Sequence, residues 1–481
     1  MNLEARAGRL AHALGRDDLA LAAYRRAVEH VEAVRSDIPV QYLDGRSSFR
    51  QTLEPTYLGL TDLLLQRAAA ARGPEQQALL RQARDTVELI KQTELEDYLR
   101  DRCGVAGAAH GAAAYVPPPG TAIYYPIILH DRLELLLETD QGIARRSVAV
   151  DAETLREQVL DYVAALRDGN PLRARAEALY RWLLAPLDDL LAQHRVQTLV
   201  SVPDGVLRLL PLASLHDGRG YLLQRLAVAT VPALSLTATP RPGHAPLQAL
   251  LAGMSEPGPV VDKLPESVVD GMLEPDAPAR QVRGAARSSA LREALALPGV
   301  KQEIESIAKV MPGEVLLDQD FTLAALKERL RTHKHPLVHI ASHGVFGDSA
   351  DTTFIMTYDE LLTLDGLQAL LRDERPGQPP IELLTLSACQ TAEGDDRAPL
   401  GMSGTALKAR ARSALGTLWP VSDDAANRVM ASFYRRLAQH GGAGAPSRVQ
   451  ALREAQLELL QDPKRQHPFY WAPFILIGDW S

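Results

Sequence analysis

Cysteine is scarce in this chain, which has two, Cys103 and Cys389, among 481 residues. The two lie far apart, so the sequence offers no disulfide framework and no spacing typical of a zinc site. The cysteines therefore predict no zinc site. Both cysteines are expected to be free thiols, as in a reducing cytosol, and one of them could be reactive.

A basic excess and long apolar runs are also missing. There are 52 basic residues against 60 acidic ones, giving a net charge of −8 without a long basic run. Phosphate binding requires clustered Lys and Arg, so nucleic acid is not expected as a partner. No run of about 18 apolar residues is present, and no membrane span is expected. The opening M-N-L-E-A-R-A-G-R-L is charged and lacks the apolar core of a signal peptide, which predicts a cytoplasmic protein.

The first part of the chain, 1–108, is predicted to be helical. Small and aromatic residues recur on one helix face, at Ala20, Tyr24, Ala27 and Val28. This order resembles the second helix of a tetratricopeptide repeat (TPR), although an ordinary helical bundle is an equal alternative. Further helices are predicted at about 49–72 and 75–100. One or two such units cannot bury their apolar faces alone, so they must pack on the next domain or belong to a longer array.

The second part, 112–246, follows a stretch rich in Gly, Ala and Pro, and mixes strands with helices. T-A-I-Y-Y-P-I-I-L and R-L-E-L-L-L-E-T are predicted to pair as strands around His130 and Asp131. Helices are predicted at 152–167 and 172–193. The region is interpreted either as a degenerate copy of the fold that follows it, a pseudo-caspase half, or as extra strands of one sheet.

The third part, 247–481, alternates short apolar strands with helical or loop segments. The strands are A-L-L-A-G-M, E-V-L-L-D, L-V-H-I-A, E-L-L-T-L-S, A-L-G-T-L-W and F-I-L-I-G. This alternation predicts an α/β fold with a mostly parallel sheet flanked by helices. Residues 255–287 have no clear periodicity, which is typical of a functional or disordered loop.

Two of these strands lead into reactive side chains, His343 and Cys389. In open parallel sheets, chemistry collects at the carboxyl ends of strands, so adjacent strand ends would bring the two together. An imidazolium or a helix N-terminus activates a thiol, and a helix is predicted to begin near Leu400. The backbone N–H groups of Gly344 and Cys389 could face a developing oxyanion.

Taken singly, either residue is more simply explained without a catalytic role. A free cysteine at the end of a strand is most often a small buried apolar residue, and a histidine before glycine is often part of a turn. The pair is more informative, because a histidine about 50 residues before the cysteine is the order noted for caspases. The caspase motif Q-A-C-x-G itself is absent, since the chain has S-A-C-Q-T.

Four motifs carry a resemblance to a known family. V-H-I-A-S-H-G-V-F-G-D, L-L-T-L-S-A-C-Q-T-A-E-G, L-G-T-L-W-P-V-S-D-D-A-A and H-P-F-Y-W-A-P-F-I-L-I-G-D-W occur in this order. They resemble the CHAT peptidases, caspase-like cysteine proteases that are relatives of separase and are often fused to tetratricopeptide repeats. The similarity covers about 176–481 and implies a caspase-like fold, with the helical N-terminus as the habitual partner module.

Carried over by position, the resemblance implies that His343 is the catalytic histidine and Cys389 the nucleophile. It implies cleavage of a peptide bond in a protein substrate through a thioacyl intermediate, without a cofactor. The motifs of P-loop nucleotide-binding proteins, of H-E-x-x-H metalloproteases and of G-x-S-x-G hydrolases are missing.

Asp423 is the candidate for substrate selection. In separase-like relatives the loop after the Trp-bearing strand lines the pocket for the residue before the cut, and here that loop is W-P-V-S-D-D. Asp423 could then face a Lys or Arg of the substrate. The competing interpretation is that Ser422, Asp423 and Asp424 cap a helix, where such residues are favoured.

Regulation is a further hypothesis. One of the segments 255–287 and 393–400 is expected to be disordered, or to block the site, until a protein regulator binds the helical region. Two alternatives to a peptidase stay open. One is a catalytically silent caspase-like scaffold that binds partners through the helical region, and the other is a cysteine hydrolase acting on a non-peptide acyl substrate.

Overall fold

The computed structural model describes residues 2–35, 38, 47–100, 115–237, 248–266, 268–269, 284–332, 335–346, 353–373, 381–391, 398–439 and 447–481. Cys103, most of the second half of the 255–287 segment and residues 393–397 of the 393–400 segment lie outside these ranges. Within the described part of the chain, no helix is long and apolar enough to cross a bilayer.

The described part of the N-terminal region contains four α-helices, in agreement with the helical region predicted from sequence. These are α1 (Asn2–Ala13), α2 (Asp17–Val34), α3 (Glu54–Ala70) and α4 (Gly73–Leu99). Ala20, Tyr24, Ala27 and Val28 are buried in α2, so the periodic face identified in the sequence is the packed one. The assignment of these helices to tetratricopeptide repeats stays a prediction.

Twelve helices follow the N-terminal region in the described residues. They are α5 (Ala152–Arg167), α6 (Arg173–Leu183), α7 (Asp188–Gln193), α8 (Leu222–Arg225), α9 (Ala285–Ala294), α10 (Pro298–Ala308), α11 (Leu323–Thr332), α12 (Leu364–Asp373), α13 (Ala398–Lys408), α14 (Asp423–Gln439), α15 (Arg448–Gln461) and α16 (Pro468–Trp471). The single helix expected at 172–193 is wrong: α6 and α7 are separated by a 3₁₀ turn at Ala185–Leu187. Pro186 in that turn lacks the N–H that a continuous helix needs.

Thirteen strands are found in the described residues. They are β1 (Thr121–Ile128), β2 (Leu133–Thr139), β3 (Gly142–Val148), β4 (Thr198–Ser201), β5 (Ala227–Thr230), β6 (Ala249–Gly253), β7 (Gly313–Leu317), β8 (Leu337–Phe346), β9 (Phe354–Met356), β10 (Leu361–Thr363), β11 (Ile381–Thr391), β12 (Ala411–Thr417) and β13 (Phe474–Gly478). β1 and β2 pair antiparallel around His130 and Asp131, as predicted.

All thirteen strands belong to one sheet. Its main order is β10-β9-β8-β11-β12-β13-β5-β4-β1-β2-β3, and β6 joins β8 to β7. The central pairs β6–β8, β8–β11 and β11–β12 are parallel, while the edges carry antiparallel hairpins. The mostly parallel, caspase-like α/β fold expected from sequence is therefore confirmed. β13 pairs with β5 through Ile477 and Thr230, so the strands of 112–246 and 247–481 share this sheet. The boundary proposed between those two parts stays a prediction.

Helices cover both faces of the part of the sheet formed by residues 247–481. α10 and α14 bury Val300, Ile304, Val429 and Phe433 on one face, whereas α11, α12 and α13 bury Leu326, Leu330, Leu367, Met402 and Ala406 on the other. Since a parallel sheet is apolar on both sides, this two-sided cover is what its strands require.

The helical region packs on the sheet through α4. Lys91 and Glu94 of α4 form ion pairs with Asp204 and Arg208, respectively, in the segment that follows β4. Arg84 Nη1 donates to both carboxylate oxygens of Glu138 in β2 at 2.9 and 2.8 Å. These charges are largely removed from water, so each needs its partner. The helical region therefore packs on the next domain, one of the two arrangements expected.

Candidate active site

The backbones of Cys389 and His343 lie on adjacent strands. β8 and β11 are parallel neighbours, and Cys389 is the register partner of Gly344, the residue after His343. Both strand ends lie at the same edge of the sheet, where parallel α/β folds place their chemistry. The sequence prediction that the two strand ends meet is therefore supported at the level of the backbone, whereas the catalytic roles stay predictions.

A register shift occurs in β8 next to His343. Ser387 pairs with Ala341, but Cys389, two residues later, pairs with Gly344, three residues after Ala341. β8 thus has two residues, Ser342 and His343, opposite one residue of β11, which is the arrangement of a β-bulge. Bulges re-aim a side chain and are enriched beside active sites. Ser342 Oγ donates to the Met356 carbonyl at 2.7 Å, which ties the bulge to β9.

His343 is held by a backbone carbonyl. Its Nε2 lies 2.9 Å from the carbonyl oxygen of Leu295, the residue that follows α9. His343 itself is only 8% exposed. A carbonyl can only accept, so Nε2 carries the hydrogen in this contact. A neutral ring then keeps Nδ1 as its acceptor, and the orientation of the ring is fixed.

Burial lowers the pKa of His343 below its ordinary value, because the charged ring would lose its hydration, and the Leu295 carbonyl offsets part of this effect. The imidazole is therefore neutral at pH 7. A neutral imidazole is a proton acceptor, the form that a general base requires.

A cluster of buried polar side chains lies beneath this edge of the sheet, and the sequence analysis missed it. Glu303 of α10 is 3.1 Å from Ser387 Oγ and 3.1 Å from His339 Nε2, and His339 Nδ1 is 3.2 Å from Tyr434 Oη of α14. The Tyr434 hydroxyl is also 2.8 Å from Thr385 Oγ1. Burial raises the pKa of Tyr434, so this hydroxyl keeps its proton. The one available signal was the polar residues at period two in otherwise apolar strands, which mark a single face of the sheet.

Asp423 is the first residue of α14, and its side chain is exposed. Its Oδ2 accepts from the N–H of Gly299 in the first turn of α10 at 2.9 Å. The cap of α14 is made instead by Ser422, whose Oγ accepts from the N–H of Ala425 at 3.4 Å. Asp423 thus lies beside Gly299 at the start of α10, four residues after Leu295, while its contact with a substrate side chain stays a prediction.

Asp424 differs from its neighbour because its charge is already paired within the chain. It forms ion pairs with Arg465 and with Arg428, at 3.3 Å in the second case.

Among the described residues, no group of three or more His, Cys, Asp and Glu is arranged to hold a metal ion.

Comparisons with known proteins agree with this architecture. One solved structure with a similar fold is the Saccharomyces cerevisiae separase–securin complex, with a TM-score of 0.51 and 11% identity, over 96% of this chain and 37% of the separase-complex chain. At this identity the likeness concerns the fold alone, and the chain spans little more than a third of that protein.

A second similarity is weaker and carries no argument here. The complex of Porphyromonas gingivalis RgpB pro- and mature domains has a TM-score of 0.35 and 9% identity, over 67% of this chain and 76% of the other. A search of curated proteins finds no significant match.

The CHAT domain family matches residues 173–479, the greater part of the sequence and almost the same range as the resemblance in the motifs. With that match and a caspase-like sheet, the chain belongs to the CHAT domain family.

Proposed function

We propose that this chain is a cysteine endopeptidase in which Cys389 is the nucleophile and His343 the general base and acid. The observation that carries the proposal is the register of β8 and β11, which pairs Cys389 with the residue after His343. The fixed ring of His343 adds to it, because Nε2–H is engaged by Leu295 and Nδ1 stays available as an acceptor. Membership of the CHAT family supports the same assignment.

The proposed reaction begins with transfer of the Cys389 thiol proton to Nδ1 of His343. The thiolate attacks the carbonyl carbon of the scissile bond, and the negative charge moves to the carbonyl oxygen, which faces the N–H groups of Gly344 and Cys389. The imidazolium then donates its proton to the leaving nitrogen as the C–N bond breaks, which leaves a thioester. Water attacks the thioester, His343 accepts a proton from it and returns one to the sulfur, and the carboxylic acid product leaves.

A neutral imidazole in the resting state suits the first of these steps. Because burial disfavours the imidazolium of His343, its neutral ring is available to accept the thiol proton when substrate binds.

The test compares the purified wild-type protein with Cys389→Ala and His343→Ala in a cell lysate, and reads new protein N-termini by mass spectrometry. Cys103→Ala, which removes the other thiol, and His130→Ala, which removes an exposed histidine, are the matched controls. We expect new N-termini with the wild type and both controls and none with the two dyad variants. If none of the five proteins produces new N-termini and iodoacetamide alkylates Cys389 slowly, the catalytically silent scaffold would be favoured. Rapid alkylation without new N-termini would favour a non-peptide acyl substrate.

We further propose that a protein regulator acts through the helical region. The C-terminal end of α4 contacts both sides of the site: Tyr98 Oη lies 2.8 Å from Thr353 Oγ1, directly before β9, and Leu99 packs on α13, the helix after the 393–400 segment. β9 in turn pairs with Gly344. A movement of α4 would therefore reach both the histidine strand and the segment that follows Cys389. Deuterium exchange with and without a candidate regulator tests this, and unchanged exchange in β9 and α13 on activation would contradict it.

A further inference from the structure

One buried carboxylate contacts both strands of the proposed dyad. Glu303 of α10 is 3% exposed, and its Oε2 accepts from Ser387 Oγ at 3.1 Å. Its Oε1 lies 3.1 Å from Nε2 of His339, a close contact whose atoms are not aligned for a hydrogen bond. Ser387 precedes Cys389 by two residues in β11, and His339 precedes His343 by four in β8. Glu303 thus joins the strand of the nucleophile to the strand of the base.

The same cluster extends to α14 through the second nitrogen of His339. Nδ1 of His339 lies 3.2 Å from the Tyr434 hydroxyl, which is itself 2.8 Å from Thr385 Oγ1 in β11. His339, Tyr434 and Thr385 have no exposed surface. Burying such groups costs free energy that their mutual contacts offset only in part, and apolar residues of the same volume stabilise a fold equally well or better. Stability alone therefore does not explain why five polar side chains occupy this layer.

The segment that joins α9 to α10 holds the ring of His343. Leu295, whose carbonyl fixes Nε2 of His343, lies three residues before Pro298, the first residue of the helix. Between them, the N–H of Leu297 donates to the Ser255 carbonyl just beyond β6 at 2.9 Å. The segment that holds the ring of His343 therefore leads directly into the helix that carries Glu303.

We propose that Glu303 is the positioning residue of the dyad: it fixes the relative position of β8 and β11, and thereby the distance over which the Cys389 proton is transferred to His343. The inference rests on the function proposed above. Glu303 touches neither substrate nor the reacting atoms and acts through Ser387, His339 and the start of α10. Its loss would misplace the dyad, and a displacement of about 1 Å costs up to roughly 100-fold in rate.

The experiment measures the alkylation rate of Cys389 by iodoacetamide at pH 7, in the full chain carrying Cys103→Ala so that only one thiol reacts. Glu303→Gln keeps the size of the side chain and removes its charge. We expect the rate to fall by about 10- to 100-fold. In the His343→Ala background we expect Glu303→Gln to have almost no further effect, because a positioning residue can act only while the base is present. The double-mutant cycle therefore separates positioning from a general loss of structure.

Two further variants keep the test decisive. Glu138→Gln makes the same change in another buried cluster, beside Arg84, and is expected to leave the alkylation rate of Cys389 unchanged while lowering stability. Ser387→Ala removes one contact of Glu303 and serves if Glu303→Gln does not fold; we expect a smaller fall in rate with the same dependence on His343.

The outcomes distinguish the two proposals. An effect of Glu303→Gln that equals that of Glu138→Gln, or that persists in full without His343, would overturn the positioning role while leaving the dyad intact. A slow wild-type reaction that His343→Ala does not change would overturn the proposed function, and this inference with it.

Discussion

Leu99, the last residue of α4, packs against Gly404 in the middle of α13. A Cβ added at Gly404 would lie 2.6 Å from Cδ2 of Leu99, closer than a side chain can approach without displacing its neighbour. The contact joins the helical region to the helix that follows the segment after Cys389. A single methyl group added at Gly404 would therefore disturb the interface between α4 and α13.

Gly404→Ala is expected to lower the free energy of unfolding by about 1 to 3 kcal/mol, because the added methyl group overpacks the interface. In a Leu99→Ala background, which lacks the obstructing carbons, Gly404→Ala should cost less free energy of unfolding than it does in the wild type. Gly366→Ala in α12, where the nearest atoms lie 3.3 Å from the added Cβ, is the control and should have a small effect. Urea unfolding of the wild type, Gly404→Ala, Leu99→Ala, the double variant and Gly366→Ala measures this. Equal losses for Gly404→Ala with and without Leu99 would contradict the contact.

Asp423→Asn should change which residue precedes the cleaved bond. If the carboxylate faces a Lys or Arg, neutralising it should lower kcat/KM for such substrates by roughly 10- to 100-fold relative to substrates with a neutral residue there. The amide oxygen of Asn can still accept from the Gly299 N–H, so the contact with α10 is kept. Asp424→Asn is the matched control, since Asp424 is already paired with Arg428 and Arg465. Unaltered preference in Asp423→Asn would leave Asp423 with a structural role only.

The lowered pKa of His343 makes the protein less stable in acid. Below the ordinary histidine pKa of about 6.5 the unfolded chain binds a proton that the buried ring resists, so unfolding gains up to about 1.4 kcal/mol per pH unit from this residue. This loss continues as the pH falls, until it passes the pKa of the folded state. Denaturant unfolding between pH 5 and 8 should show a shallower acid slope for His343→Gln than for the wild type. Parallel slopes would show that the ring is accessible to water.

Glu54 is expected to have the opposite effect on stability from His343, because it makes the protein less stable as the pH rises. It begins α3 beside the Lys91–Asp204 and Glu94–Arg208 pairs, and burial together with the carboxylates of Glu94 and Asp204 raises its pKa to about 7. A carboxyl group whose pKa is raised in the folded state stabilises the fold at pH values below its ordinary pKa. That stabilisation is lost as the pH rises towards 7. Glu54→Gln should therefore stabilise the protein at pH 8, by roughly 1 to 3 kcal/mol, and have little effect at pH 5. A thermal shift of the same size at both pH values would contradict the shift in pKa.

Local patterns predicted much of this architecture, and the misses have physical causes. The β1–β2 hairpin and α5 follow from strand alternation and helical spacing in the sequence. β3 was missed because Arg145 and Arg146 interrupt its apolar pattern; their charges are paired with Glu134 and Asp189 from other elements. Such pairing depends on tertiary structure and leaves no local signal.

The candidate site shows the same limit. His343 and Cys389 were identifiable because a reactive residue at the end of an apolar strand is visible in the sequence. Glu303 was not, since in Q-E-I-E-S-I-A it resembles any charge on an exposed helix face. Its partners Ser387 and His339 come from β11 and β8, and only the assembled sheet brings them together.

The place of β13 in the sheet sets the order in which the protein can be completed. This strand, residues 474–478, lies between β12 and β5 and closes the sheet across the two parts of the chain. On the ribosome, β5 emerges long before its neighbour exists, and until β13 arrives both β5 and β12 present an unpaired edge. The sheet therefore stays open between β5 and β12 until residues 474–478 are inserted, so a nascent chain carries His343 and Cys389 before the sheet around them is closed.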